Sequence, residues 1–448
     1  MTATPKTLEA FMNWTRERNP GQEEFHQAVE EVAAHVLPFI AEHREYAEAR
    51  ILERLTEPDR IISFRVSWMA DDGTVQVNRG WRVQLSNAIG PYKGGLRFTP
   101  GVSESVLKFL AFEQAFKNAL TGLPLGAGKG GADFDPRGRS DAEIMRFCQS
   151  FMTELHRHIG PEIDIPAGDI NVGPREIGWL FGAYKRIENR FDGALTGKGA
   201  SFGGAPLRPE ATGYGLIYFT ACALEAMGEG MDGRSVLISG AGNVATHAAD
   251  EAIRQGGKVI TLSAHDGCLH HAAGFSHEQI NEVRSHKAGG GHIKDLARPF
   301  GAKWRADAKP WDLPGHIALP CATQNEMQEA DAQALVDNGV LLVAEGANMP
   351  LTPDAMGVLR RARTAYAPGK ATNAGGVAVS GMEMSQNAMH GPGDREHVCR
   401  RLNETMVAIH QRCLEHGRRK DNRIDYVKGA NIAGFRKLAD AMLAYGVV

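Results

Sequence analysis

Cysteine is scarce in this sequence and scattered. Six cysteines occur in 448 residues, at positions 148, 222, 268, 321, 399 and 413. No C-x-x-C pair is present, which excludes a disulfide framework and a cysteine-based zinc site and suits a reducing compartment. An excess of one charge is also lacking. Fifty Lys and Arg against 53 Asp and Glu leave a formal net charge of −3. With no long basic run, a nucleic-acid surface is excluded. No stretch approaches the roughly 18 apolar residues of a membrane span. The opening MTATPKTLEAFMNWTRERNP has no apolar core of a signal peptide, so a cytoplasmic protein is expected. Repeats and low-complexity tracts are absent. What is present is an ordinary globular composition, 43% hydrophobic and 23% charged. At roughly 150 residues per domain, two or three domains are expected.

The patterning changes along the chain. Residues 22–55 carry apolar positions at helical spacing (Phe25, Val29, Val32, Val36), with Pro38 as an interruption. Residues 61–69 and 74–85 alternate apolar and polar around an Asp72-Gly73 turn and predict paired strands. A helix is predicted over 103–120, capped by Ser103 and ended by Gly122 and Pro124. Another covers 142–158. A Gly/Pro-rich stretch at 199–211 marks a boundary. Beyond it strands (235–239, 258–262, 316–320, 341–344) alternate with helices such as 243–255, which argues for a parallel, doubly wound sheet. The fold expected is α/β with two domains. The first spans 1–200 and is completed by 375–448; the second, Rossmann-like, spans 201–374.

Gly240-Ala241-Gly242-Asn243-Val244-Ala245 reads G-x-G-x-x-A between a predicted strand and a predicted helix. Glycines there permit a tight turn and let backbone N–H groups approach a pyrophosphate at a helix N-terminus. The bland alternative is an ordinary glycine turn. An acid to hold the ribose 2′-hydroxyl is missing from its usual place, Ala264; Asp266 comes two residues late. NAD and NADP both stay open on this evidence.

Three lysines have unusual surroundings. Lys93 lies in GPYKGG and Lys129 in GAGKGG, where flanking glycines would let a small ligand come close. Lys117 follows Gln114 by three residues on one helix face. Most lysines are simply solvated, but glycine on both sides argues for a ligand. Asp169, in Pro166-Ala167-Gly168-Asp169, is a turn residue on the bland reading and a proton carrier beside a lysine cluster. A metal role for His265, Cys268, His270 and His271 competes with a hydrophilic loop, and the loop is preferred, so no metal is expected.

Together these segments resemble the glutamate dehydrogenase family, of the hexameric small-subunit branch of the Glu/Leu/Phe/Val dehydrogenases. The likeness runs from about Ile61 to Ala444 through GPYKGGLRF, KFLAFEQAFKNAL, GKGGADFDP, PAGDINVG, RPEATGYG, SGAGNVA, LPCATQNE, AEGANMP, NAGGVAVSGMEMSQN and GANIAGF. Asn171 and Ala127 stand where many relatives have Gly. The resemblance implies that Lys129 is the catalytic lysine and Asp169 the acid/base. It implies that Lys93, Gln114, Lys117, Gly168 and Ser380 hold the substrate. It implies that Thr212 and Asn243 contact the cofactor, and Arg137 resembles a basic position used by NADP-linked relatives. With these the candidate cofactor set is Gly240, Gly242, Val244 and Ala245 of the fingerprint, Asn348, and His265, which directly follows the strand where a 2′-phosphate would lie. His286 and Lys287 add positive charge, while Asp266 opposes it.

The resulting expectation is a homohexameric oxidoreductase of amino-acid metabolism and ammonia assimilation. It would interconvert L-glutamate with 2-oxoglutarate and ammonia, with NADP favoured over NAD. The alternatives are a leucine- or phenylalanine-type dehydrogenase and an inactive dinucleotide-sensing regulator. Lys93 and Ser380 on the side-chain pocket argue for glutamate, because an apolar side chain would strand a buried ammonium.

Overall fold

The alternating stretch after residue 60 forms two long antiparallel strands in the computed structural model, β1 (Arg60–Met69) and β2 (Val75–Ser86). Asp72 stabilises the turn between them by accepting the Thr74 backbone N–H at 2.9 Å, and Gly73 supplies a left-handed φ of 83°. Residues 7–448 are described; the first six, part of the N-terminal stretch considered above for a signal peptide, lie outside this range. Two units are distinguished. One runs to Pro206 and includes Val377–Val398 and Asn431–Val448; the other holds Leu207–Gly376 and Cys399–Ala430.

Three further strands complete the first unit's sheet: β3 (Tyr92–Phe98), β4 (Ala127–Ala132) and β5 (Asp164–Gly168). The order is β1-β2-β4-β3-β5, with β3 parallel to both β4 and β5. These are the glycine-rich segments read above as openings for a ligand. In the sheet the glycines also let backbones touch. A Cβ on Gly94 would sit 1.7 Å from the Gly128 carbonyl oxygen, and one on Gly131 would sit 2.1 Å from that of Arg97. Real Cβ atoms cannot approach so closely.

One face of this sheet is covered by helices Asp141–Leu155 and Pro174–Glu188. Val66, Trp68, Leu96 and Phe98 meet Phe147, Phe151, Ile177 and Leu180 in one buried cluster. Burying each such side chain contributes roughly 1.5–3 kcal/mol. The helix Glu104–Thr121 begins and ends as its sequence predicts: Ser103 Oγ accepts the Val106 N–H, and Gly122 takes a left-handed φ of 77°. Pro38 does not interrupt its helix, which runs Glu23–Ala41. Pro38 removes the bond its N–H would give to the Ala34 carbonyl, and the helix ends three residues later.

In the second unit, β6 (Ser235–Ile238) and β7 (Lys258–Val259) begin a parallel sheet. The chain then forms β8 (Thr261–Ala264), β9 (Gly267–His270) and β10 (Lys303–Ala306). It returns to the parallel sheet with β11 (Ile317–Leu319), β12 (Leu342–Ala344) and β13 (Ala365–Ala367). The parallel order is β13-β12-β11-β6-β7, while β8, β9 and β10 form a small antiparallel sheet. The single strand expected over 258–262 is thus broken at Ile260. The stretch after it is no hydrophilic loop. His265 and Asp266 are the two-residue turn of a hairpin in which Cys268 and Leu269 are fully buried.

The chain after residue 375, assigned above wholly to the first domain, is shared. Phe435 packs on Tyr46 in the first unit at 5.6 Å. His410 and Tyr426 pack on Phe219 in the second at 5.3 and 5.5 Å. No described helix is long and apolar enough to cross a membrane.

Candidate active site

Strand register brings the first residues of the site together. Leu96 on β3 is paired with Gly130 on β4 and with Gly168 on β5. Side chains alternate across a sheet, so Arg97, Lys129 and Asp169, each one step from that row, turn to the opposite side. There Lys129 Nζ lies 3.1 Å from Asp169 Oδ2, and Arg97 Nε donates to the same oxygen at 2.8 Å. Gly95 makes room: a Cβ there would fall 2.7 Å from the Cβ of Asp169. Asn171 holds the turn after Asp169 in a left-handed φ of 58°. Asparagine tolerates that conformation, and its Nδ2 donates to the Phe98 carbonyl at 2.8 Å, so the Gly of relatives is not required.

The electrostatics follow from burial. Lys129 is 5% exposed. Burial lowers its proton affinity, and Arg97 and Arg82 add to this against the pull of Asp169, leaving the lysine below its ordinary value. Burial pushes the Asp169 carboxyl up, but Lys129 and Arg97 outweigh it and hold it at about 2. The pair therefore joins an ionised carboxylate to a lysine that gives up its proton more readily than usual, an arrangement suited to proton transfer. Beneath it, Arg82 and Asp164 form a fully buried fork, with Nε and Nη2 donating at 2.8 and 2.5 Å. Gln84 adds a third bond to Asp164 at 2.9 Å. Both charges are matched, as burial demands.

Lys93, on β3 opposite Ile165, is 1% exposed. Its Nζ donates to the Ile165 carbonyl at 2.9 Å and to Thr196 Oγ1 at 2.7 Å. Gln114 and Lys117 are both partly buried on Glu104–Thr121. Gln114 donates to Asn118 Oδ1, and Asn118 Nδ2 donates to the Lys93 and Gly126 carbonyls at 3.2 and 2.6 Å. One asparagine thus ties that helix to the backbone of Lys93. Gly168 closes β5, and a Cβ on it would fall 2.2 Å from the Val172 carbonyl oxygen. Ser380 is 1% exposed on the helix Gly375–Ala388. One turn later, Glu383 accepts the Gly197 N–H at 3.0 Å and pairs with Lys198 Nζ at 3.0 Å.

Sequence reasoning missed Arg97, Thr196, Asn118 and the Lys198–Glu383 pair. For Arg97 a signal existed: once GPYKGGLRF is known to be a strand, Lys93, Gly95 and Arg97 alternate onto one side.

In the second unit the fingerprint turn is open. Gly240 takes a left-handed φ of 81°, and nothing lies within 4 Å of a Cβ on Gly242. Asn243 starts the helix Asn243–Arg254 and donates to the Pro209 carbonyl. Val244 is partly buried and Ala245 fully buried against the sheet. Thr212 is partly buried near the start of Ala211–Glu225. Asn348 accepts from Asn373 Nδ2 at 3.1 Å.

At the end of β8, His265 is exposed, while Asp266 is met by His292 Nε2 at 3.0 Å, a partner missed above. His265, Asp266 and His292 bring donor atoms within 4.8 Å of one another. His286 contacts the His292 carbonyl and Asp295, and Lys287 is exposed. In the first unit, Arg137 is exposed and forks onto Asp135, at 2.9 and 2.8 Å.

The chain is similar to known proteins along its length. Residues 203–446 match the family model described as Glutamate/Leucine/Phenylalanine/Valine dehydrogenase. Residues 58–186 match the model of the Glu/Leu/Phe/Val dehydrogenase dimerisation domain. The chain is 52% identical to the NADP-specific glutamate dehydrogenase of Escherichia coli K12, covering 99% of both chains. It is 51% identical to the NAD-specific glutamate dehydrogenase of Bacteroides fragilis, covering 98% of this chain and all of that one. Among solved structures, Plasmodium falciparum glutamate dehydrogenase superposes with a TM-score of 0.96 at 45% identity, covering 100% of this chain and 98% of that one.

Proposed function

The chain belongs to the Glu/Leu/Phe/Val dehydrogenase family, and on that premise we propose that it is a glutamate dehydrogenase. It interconverts L-glutamate with 2-oxoglutarate and ammonia, and it prefers NADP to NAD. The observation that carries this reading is the buried contact of Lys129 Nζ with Asp169 Oδ2 at 3.1 Å.

The first unit is the substrate domain. Oxidising an amino acid requires its nitrogen to lose protons, and Asp169 exchanges them. Lys129 in its neutral form takes a proton from the water that attacks the imine carbon; as an ammonium it then stabilises the oxygen that water leaves there. Gln114 and Lys117 hold the α-carboxylate, and Gly168 lines the site. Lys93 with Ser380 holds the distal carboxylate. A charged acceptor for Lys93 favours glutamate over leucine or phenylalanine, whose side chains would leave a buried ammonium facing hydrocarbon.

The second unit is the dinucleotide domain. Its fingerprint turn fits a pyrophosphate: the space beside Gly242 is open, and N–H groups at the start of Asn243–Arg254 are free of intrahelical acceptors. A nicotinamide dinucleotide held there would supply the hydride acceptor that the oxidation needs. Thr212, Asn243 and Asn348 orient it. The E. coli and B. fragilis relatives are nearly equally similar and are named for different cofactors, so local chemistry must decide. Asp266 Oδ1 lies 3.0 Å from His292 Nε2, a neighbour that turns this carboxylate toward the protein, and His265 is exposed to donate to a 2′-phosphate.

Self-association into a homohexamer, in the cytoplasm, completes the reading. β1 is an edge strand of its sheet, and Met69, Val75 and Val77 on the β1–β2 ribbon are 52%, 67% and 64% exposed. Such an edge invites a partner.

Initial rates of NADP and NAD reduction with L-glutamate, L-leucine and L-phenylalanine test the proposal. Glutamate with NADP should be the fastest combination. Faster turnover of an apolar amino acid, or a tenfold preference for NAD, would overturn the corresponding part.

A further inference from the structure

Arg97 has no role in the reaction as described so far, yet it is built into the same contact. Its side chain is 12% exposed, and its Nε donates at 2.8 Å to Asp169 Oδ2, the oxygen that Lys129 also meets. Asp169 Oδ1 takes part in neither contact. Glycines on β3 and β4 permit this closeness: a Cβ on Gly131 would fall 2.1 Å from the Arg97 carbonyl oxygen, and one on Gly95 would strike Asp169.

We propose that Arg97 is a positioning residue of the reaction: it fixes Asp169 Oδ2 against Lys129 and so leaves Oδ1 to exchange the proton with the substrate nitrogen. The inference rests on the assignment of Lys129 and Asp169 above. In the step concerned, an N–H bond of the substrate breaks and an O–H bond forms on Oδ1. The proton returns to nitrogen as ammonia leaves. Arg97 neither gives nor takes a proton in this step; it acts through the fixed bond from its Nε to Asp169 Oδ2.

A permanent cation at this place also acts on both partners. Among the described residues, the charged groups that act most on Lys129 are Asp169, Arg97 and Arg82, and those that act most on Asp169 are Lys129 and Arg97. Arg82 is itself committed to Asp164 and is unchanged by substitution at 97. Removing the Arg97 charge takes away a group that lowers Lys129 and one that lowers Asp169. Both then hold protons to higher pH, and turnover, which needs neutral Lys129, moves to higher pH with them.

The test is the pH dependence of kcat for the full-length enzyme with glutamate and NADP, comparing wild type, Arg97→Gln and Arg97→Lys. Lys129→Ala and Asp169→Asn are measured beside them. Arg97→Gln should lower kcat by roughly 10- to 100-fold. It should move the acid limb up by about one pH unit and change the Michaelis constant for glutamate by less than about threefold. Arg97→Lys, which keeps the charge, should hold the limb near its wild-type position. Arg97→Met keeps much of the packing and repeats the test should Arg97→Gln fail to fold. A wild-type limb and kcat in the neutral variant, or an equal shift in Arg97→Lys, would overturn the inference. Normal turnover in Lys129→Ala or Asp169→Asn would instead overturn the assignment on which it rests.

Discussion

Lys93 Nζ donates to Thr196 Oγ1 at 2.7 Å, and the two residues after Thr196 are held by Glu383 on the helix that carries Ser380. The two groups assigned to the distal carboxylate are therefore parts of one braced assembly. Lys93→Leu with Ser380→Val should weaken glutamate and admit apolar amino acids. One charge-assisted bond is worth roughly 1.5–3 kcal/mol, so the Michaelis constant for glutamate should rise about tenfold or more. Steady-state kinetics with glutamate and leucine check this. Unchanged glutamate kinetics, alongside loss of binding in Lys117→Ala, would mean that the two carboxylate sites are exchanged.

Gly95 gives a second expectation. The new methyl group of Gly95→Ala would lie 2.7 Å from the Cβ of Asp169 and 3.0 Å from the Gly168 carbonyl oxygen. One of them must shift, and misplacing a proton-transfer group by about 1 Å costs on the order of 10²-fold in rate. The variant should fold, bind NADP normally and show this loss in kcat. Wild-type kcat would mean that the placement of Asp169 by β3 is unimportant.

Much of this was legible in the sequence where periodicity is intact. The β1–β2 pair was visible because polar and apolar residues alternate there. The Ser103 and Gly122 ends of the long helix follow from capping chemistry. The strands β3 and β4 were not visible, because Gly94, Gly128 and Gly131 break every periodic pattern and serve contacts between backbones; β5 is only five residues long, with Pro166 at its middle. Lys129 and Asp169 stood out as chemistry without geometry. Arg97 did not, because its partner lies just past β5, distant in sequence. His292 escaped for the same reason: nothing local ties it to Asp266.

That histidine carries the third expectation. His292→Ala should free the Asp266 carboxylate, raise the Michaelis constant for NADP about tenfold and leave that for NAD little changed, since only a 2′-phosphate repels a carboxylate there. Adding Asp266→Asn should recover most of the NADP loss. Equal effects on both cofactors would remove this pair from cofactor choice.

The fourth concerns stability. His410 is 2% exposed, contacts Tyr426 Oη at 2.9 Å, and is lowered by burial from 6.5 to about 4. A depressed value means that the unfolded chain takes the proton first. The neutral, buried ring contributes its full stability above pH 6.5, and that contribution fades as pH falls toward 4. At about 1.4 kcal/mol per pH unit the total is on the order of 3 kcal/mol. Denaturant titrations at pH 7 and pH 4.5 should show wild type losing about 2 kcal/mol more than His410→Gln. Parallel losses would mean that His410 does not drive the acid sensitivity.

The central claim is that Lys129 and Asp169 work as one proton-transfer pair. The direct measurement is kcat for glutamate-dependent NADP reduction in Lys129→Ala, Asp169→Asn and the double variant, with NADP binding measured separately. Each single variant should lose on the order of 10²-fold or more in kcat while binding NADP normally, and the double variant should be little worse than the poorer single one. Turnover near wild type in either single variant, or losses that multiply in the double, would contradict it.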